Sequence, residues 1–141
     1  MHIACKGGHL PVARWLHEKG VPFDLALDDG TQPMHLACQE GHLDVARWLH
    51  EQGAPLDVAT NIGGQPMHYA CTGGALAVAR WLHEQGAPLD VATNNGVQPM
   101  HYACQEGQLA VAQWLHEQGA PLDVATDIGC ICLTVFVWPY A

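Results

Sequence analysis

Met67-His-Tyr-Ala-Cys71 stands 33 residues after Met34-His-Leu-Ala-Cys38 and 33 residues before Met100-His-Tyr-Ala-Cys104, and the chain opens on Met1-His-Ile-Ala-Cys5. Trp15, Trp48, Trp81 and Trp114 keep the same step, as do Gly20, Gly53, Gly86 and Gly119. A fixed period of this length marks a stack of equivalent supersecondary units, each leaning on its neighbours, and not a closed globule. Such a stack offers an extended surface.

The unit from Asn61 to Thr93 predicts its own structure. Asn61-Ile62-Gly63-Gly64 reads as a turn, because Asn and Gly tolerate positive φ; its counterparts are Asp28-Asp29-Gly30, Asn94-Asn95-Gly96 and Asp127-Ile128-Gly129. Pro66 presets φ for a first helical residue. Met67, Ala70 and Cys71 then fall at i, i+3 and i+4, one face of a short helix, which Gly73-Gly74 end. Leu76, Ala79, Trp81 and Leu82 make the apolar face of a second helix, with Val78 beside them. Gly86 stops that helix and Pro88 prevents its continuation. Helices this short are not stable alone. Stacking joins their apolar faces into one core, where each fully buried Leu or Met contributes roughly 1.5–3 kcal/mol. The chain is therefore predicted to be all-α.

Composition narrows the function. The 141 residues are 49% hydrophobic and only 13% charged, with a net charge of -9. Lys6, Arg14, Lys19, Arg47 and Arg80 are the whole basic complement, too few to neutralise phosphates. A nucleic-acid partner and an anionic membrane are both disfavoured. Cys5, Cys38, Cys71 and Cys104 hold one position per unit. Stacked helices lie about 8–10 Å apart, too far for a disulfide, so these read as buried thiols in a reducing compartment. With no secretory leader and no apolar run long enough to span a bilayer, the expectation is an intracellular protein, cytoplasmic or nuclear.

The motifs resemble those of the ankyrin-repeat family, whose first helix opens Thr-Pro-Leu-His-x-Ala-Ala-x-x-Gly-His. Here Gln32-Pro-Met-His-Leu-Ala-Cys-Gln-Glu-Gly-His42 and Gln65-Pro-Met-His-Tyr-Ala-Cys-Thr-Gly-Gly-Ala75 match it, and Val45-Ala-Arg-Trp-Leu-His-Glu-Gln-Gly53-Ala54 resembles the second helix and its stop. The resemblance covers Met1 to Thr126. It implies a solenoid of stacked helix-turn-helix units joined by β-turn fingers, with His2, His35, His68 and His101 as structural hydrogen-bonders. Gln32, Gln65 and Gln98 depart from it, replacing a Thr that caps the helix more effectively.

No residue set reads as catalytic. The chain contains no serine, which excludes the Gly-x-Ser-x-Gly elbow, and it has no phosphate-binding Gly-x-x-x-x-Gly-Lys-Ser/Thr loop. The histidines sort into repeat positions: the first-helix four, then His17, His50, His83 and His116 near second-helix C-termini, where imidazole is favoured, and His9 and His42 between helices. One per unit is not a convergent zinc set. No metal and no cofactor are expected.

The units differ from each other selectively. Asn61–Thr93 and Asn94–Thr126 disagree only at Ile62/Asn95, Gly64/Val97, Thr72/Gln105, Gly73/Glu106, Ala75/Gln108 and Arg80/Gln113. Asp28–Thr60 differs from its neighbour at Asp28, Asp29, Thr31, Leu36, Gln39, Glu40, His42 and Asp44. Most of these lie at the turn or around the end of the first helix. By resemblance, turn tips and first helices form a protein-binding surface. The candidate binding residues are Asp28, Asp29, Thr31, Gln39, Glu40, Ile62, Tyr69, Thr72, Asn95, Val97, Tyr102, Gln105 and Glu106. Tyr69 and Tyr102 are the best anchors, being large and amphipathic, and the acidic members suit a basic or polar protein partner.

Two readings follow. One is a non-catalytic protein-interaction module. The other is a fragment of a larger ankyrin-containing enzyme, channel or adaptor with no independent function, favoured by end units that lack polar capping faces. The expected division is an array over 1–126, in units 1–27, 28–60, 61–93 and 94–126, followed by a non-repeat apolar tail over 127–141. The uncharged β-branched and aromatic tail suits an extended segment. It either covers the open end of the last unit as a cap or drives self-association. Ending the chain after Asp127 distinguishes the two: loss of a cap lowers the melting temperature, whereas loss of an adventitious tail leaves it unchanged and improves solubility.

Overall fold

A computed structural model describes residues 1–122; the proposed tail lies outside the described residues. Eight helices form four pairs: α1 (His2–Lys6) with α2 (Leu10–Glu18), α3 (Pro33–Gln39) with α4 (Leu43–Glu51), α5 (Pro66–Gly73) with α6 (Leu76–Glu84), and α7 (Pro99–Gln105) with α8 (Leu109–Glu117). There is no strand among the described residues. Pro33, Pro66 and Pro99 open α3, α5 and α7, where a missing N–H costs nothing.

The second helices bury one stripe each. In α6 it is Val78, Ala79, Trp81 and Leu82, while Arg80, His83 and Glu84 face solvent. Val78 is a full core member and Leu76 only half-buried, a shift from the face read off the spacing. Consecutive first helices pack closely on one another, from α1 to α3 to α5 to α7, while α4, α6 and α8 touch more sparsely. The first helices thus form one row of the stack, the inner one, and the second helices the other.

Fingers connect the pairs. Each closes on itself, with the N–H groups of Leu27, Thr60 and Thr93 donating to Thr31, Gly64 and Val97 carbonyls at 2.9 Å. The second and third also bond to the finger before. The Asn61 N–H donates to the Asp29 carbonyl and the Asn94 N–H to the Ile62 carbonyl; the two Asn side-chain amides donate to the Asp28 and Asn61 carbonyls at 2.9 and 3.0 Å.

Between helices, Gly8, Gly41, Gly74 and Gly107 all take positive φ, a conformation that penalises a Cβ. The next pair lays a side chain across this turn. His42 Nε2–H donates to the Lys6 carbonyl at 2.9 Å, and Gln108 Nε2–H to the Thr72 carbonyl at 3.1 Å. At the middle step Ala75 has no such group. There α5 runs one residue further, to Gly73, and a Cβ on Gly73 would collide with the Gln39 carbonyl oxygen. Differences at 73, 75 and 108 thus have an internal reason, the local way in which two pairs meet.

A prediction follows for Gly73→Ala. Helix propensity alone favours Ala by about 1 kcal/mol, but the backbone contact should reverse the sign and destabilise the fold by about 1–3 kcal/mol. Denaturant unfolding of the variant gives the sign directly.

Candidate interaction face

The inner face is organised around buried imidazoles. His35 is fully buried and His68 2% exposed. Nδ1 of His35 accepts the Gln32 backbone N–H at 3.0 Å, and Nδ1 of His68 accepts that of Gln65 at 3.0 Å; His101 does the same for Gln98 at 2.9 Å. The glutamine therefore meets the imidazole through its main chain. An accepting Nδ1 places the proton on Nε2. That N–H donates from His35 to the Val58 carbonyl at 2.9 Å, and from His68 to the carbonyls of Val91 at 3.0 Å and Val97 at 3.2 Å. Burial holds both imidazoles below their ordinary pKa, the backbone carbonyls only partly opposing it.

This geometry leaves no nitrogen of His68 for Cys71, so a Cys–His nucleophile is not assembled there. Burial pushes the Cys71 thiol up to about 12 and Cys5 to about 11, away from the thiolate form a nucleophile needs. Cys5, Cys38, Cys71 and Cys104 are all free thiols. Among the described residues no group of His, Cys, Asp and Glu is arranged to hold a metal ion. Every buried side-chain nitrogen and oxygen there has a partner, so none is held in reserve for a ligand.

The tyrosines lie on this imidazole layer. Tyr69 packs tilted on His35 with ring centroids 4.9 Å apart, and Tyr102 meets His68 edge-on at 5.6 Å. Both are half-buried, and burial, with Tyr69 nearby, raises the Tyr102 pKa. Their repeat equivalents are Leu36 and Ile3. The row Ile3, Leu36, Tyr69, Tyr102 runs along the first helices; the 33-residue step could have added its first two members to the candidates.

The other candidates divide by exposure. Asp28, Asp29, Glu40, Ile62, Asn95, Gln105 and Glu106 are exposed. The Asp29 carboxylate accepts the Thr31 N–H at 2.8 Å, which holds it below its usual pKa. Gln39, Thr72 and Val97 are half-buried, and the Thr72 hydroxyl is turned inward, donating to the His68 carbonyl at 2.9 Å. Thr31 is buried at 5% exposure, and a buried side chain is not presented to a partner. Two shallow grooves lie on the second-helix side, one lined by Arg80, His83, Glu84, Trp114, Glu117 and Gln118, the other including His50, Asp57 and Pro88. None of the candidates lines either.

The imidazoles predict an acid-sensitive fold. Free histidine titrates near about 6.5, so below that pH the unfolded chain binds protons that buried His35 and His68 resist. Their contribution is fully present above about pH 6.5 and is lost as pH falls from there toward their depressed folded values. His68→Leu should flatten this dependence in melting curves from pH 7 to 5. It should also lower stability at every pH, since each buried backbone group left bare costs about 1–3 kcal/mol.

No helix among the described residues is long and apolar enough to cross a membrane. No curated protein matches the chain. The sequence profile described as ankyrin repeats (many copies) matches residues 1–50, 35–83 and 67–116 in overlapping segments. Ankyrin repeats are in general protein–protein interaction modules. Helix pairs stacked at a 33-residue step, fingers bonded in series and buried histidines in α3, α5 and α7 agree with that match, and the chain belongs to the ankyrin-repeat family.

Proposed function

We propose that this chain is a non-catalytic module that binds another protein along its finger tips and first helices. The observation that carries this is the row of Leu36, Tyr69 and Tyr102 on the inner side, rigid where it rests on the imidazoles and partly open to solvent. Aromatic anchors held from below lose little entropy on binding, and residues of this kind dominate interface energetics. Around the row stand Asp28, Asp29, Glu40 and Glu106, all exposed. Their charge favours encounter with a basic or polar surface. The binding set comprises these residues with Gln39, Ile62, Thr72, Asn95, Val97 and Gln105; Thr31 is left out because it is buried.

Catalysis has no support in the geometry: His68 is saturated by backbone groups, and burial drives the Cys71 thiol away from its reactive form. The fold supplies a surface, and fold alone does not name a partner.

The test uses partners captured by the wild-type chain. Tyr102→Ala combined with Glu106→Lys should weaken capture at least about tenfold, the scale of a lost anchor, while the helical spectrum stays unchanged. Glu51→Lys with Glu84→Lys, on the opposite face, should leave capture intact. The reverse pattern would move the site to the second helices.

A further inference from the structure

The inner face has a period of its own. Leu36, Tyr69 and Tyr102 hold one position in α3, α5 and α7, and all three are half-buried. These helices pack directly on one another, and helices in contact lie about 8–10 Å apart. The row therefore offers one anchor roughly every 9 Å. Four residues along each helix stand Glu40, Gly73 and Glu106, on the same face as the anchors because side chains at i and i+4 are neighbours. Glu40 and Glu106 are exposed, and the Gln105 side-chain amide donates to Glu106 Oε1 at 3.1 Å. The middle step holds no acid, since a Cβ on Gly73 would collide with the Gln39 carbonyl oxygen. On the finger side Tyr69 lies over Gly64, where a Cβ would stand 3.2 Å from its Cε2. The row is a single file of anchors between fingers and acids.

An occupant of this face has to repeat its own face at the same step. A β-strand does so after two or four residues, about 7 or 13 Å, and falls out of register at once. An α-helix repeats after seven residues, about 10 Å. Its apolar stripe, however, also projects side chains at i+3 and i+4, which would stand over the gaps between Leu36, Tyr69 and Tyr102. A polyproline II segment has three residues per turn and advances about 9 Å in each, so every third side chain meets one anchor. Its backbone needs no strand edge to pair with, and aromatic rows suit it.

We propose that the inner face takes a polyproline II segment of a partner protein. Apolar residues at every third position rest on Leu36, Tyr69 and Tyr102, and two basic residues six positions apart meet Glu40 and Glu106. Six residues of polyproline II span about 19 Å, matching the two helix steps between these acids, roughly 16–20 Å. A basic residue midway between them faces Gly73 and gains nothing there. This inference rests on the reading that the inner face is the binding surface.

Fluorescence anisotropy of labelled peptides with the full chain tests it. The probe is Arg-Leu-Pro repeated three times, which places the leucines on one edge of the polyproline II helix and the arginines on another. A permuted peptide with leucines at alternate positions, and an alanine-based helical peptide carrying three leucines on one face beside three arginines, should each bind at least about tenfold more weakly. Replacing the first or the third arginine by glutamine should weaken the probe roughly two- to fivefold, the scale of an exposed ion pair; replacing the middle one should leave it unchanged. Glu40→Lys and Glu106→Lys should each weaken it to a similar extent, and Tyr69→Ala about tenfold. The two charge variants change exposed residues, so they carry the test even where Tyr69→Ala perturbs the helical spectrum. A permuted or helical peptide that binds as tightly as the probe overturns the conformation, and a middle arginine as sensitive as the outer two overturns the register. A probe that does not bind, while Tyr102→Ala with Glu106→Lys still abolishes partner capture, overturns this inference and leaves the interaction face standing. Probe binding indifferent to Tyr69→Ala, Glu40→Lys and Glu106→Lys overturns both.

Discussion

The His68 imidazole ties the start of its own helix to two pieces of chain far along the sequence. His68 accepts the N–H of Gln65 at the start of its own helix, and donates to Val91 in the loop after the second helix and to Val97 in the next finger. The angle of the helix, the path of the loop and the position of the next unit are set by one ring. The ring must be neutral to do this, because a proton on Nδ1 would face an N–H group. It must also be buried, because water would compete for both nitrogens. Both demands are met only when the next unit is in place, so the unit and its neighbour are specified together. That coupling explains how first helices of only seven or eight residues, α3, α5 and α7, persist in a chain without a closed core.

The imidazole layer also supports what lies above it. The tyrosines stand on His35 and His68, so the aromatic side chains of the inner face are held by the same groups that hold the fold. Around them the finger backbones are bonded to one another in series, through the carbonyls of Asp28, Asp29, Asn61 and Ile62. The side chains of Asp28, Asp29 and Ile62 stay exposed on that scaffold. A surface of this kind changes its chemistry by substitution at the tips without disturbing the ladder beneath.

Direction is built into every step of the stack. The imidazole of one second helix covers the tryptophan of the following one, never the reverse, so the two ends of the described array are different surfaces. At the first pair Trp15 and Val12 are exposed, whereas Trp48 and Val45, with a pair stacked before them, are covered.

Much of this was legible in the sequence. The 33-residue step, the prolines at helix starts and the glycines at helix ends give the helix pairs and their order, because these are local backbone constraints. The imidazole role came from resemblance, and its partners, 23 and 29 residues downstream of His68, came only from the packed structure. The face was less legible than the fold. Variation between units pointed to the turns and the ends of the first helices, but it mixed two causes that sequence does not separate. Glu106 varies at an exposed position, whereas Gly73, Ala75 and Gln108 vary because two backbones meet closely at one step and are bridged by a side chain at the next. Thr31 stands among exposed residues in the sequence and is nevertheless buried beneath its finger. The sequence by itself determined the repeating unit, since φ preferences and apolar spacing act within a few residues. Only the tertiary structure decided which equivalent residues are covered, since Trp15 and Trp48 share their local sequence and differ solely in having a neighbour stacked before them.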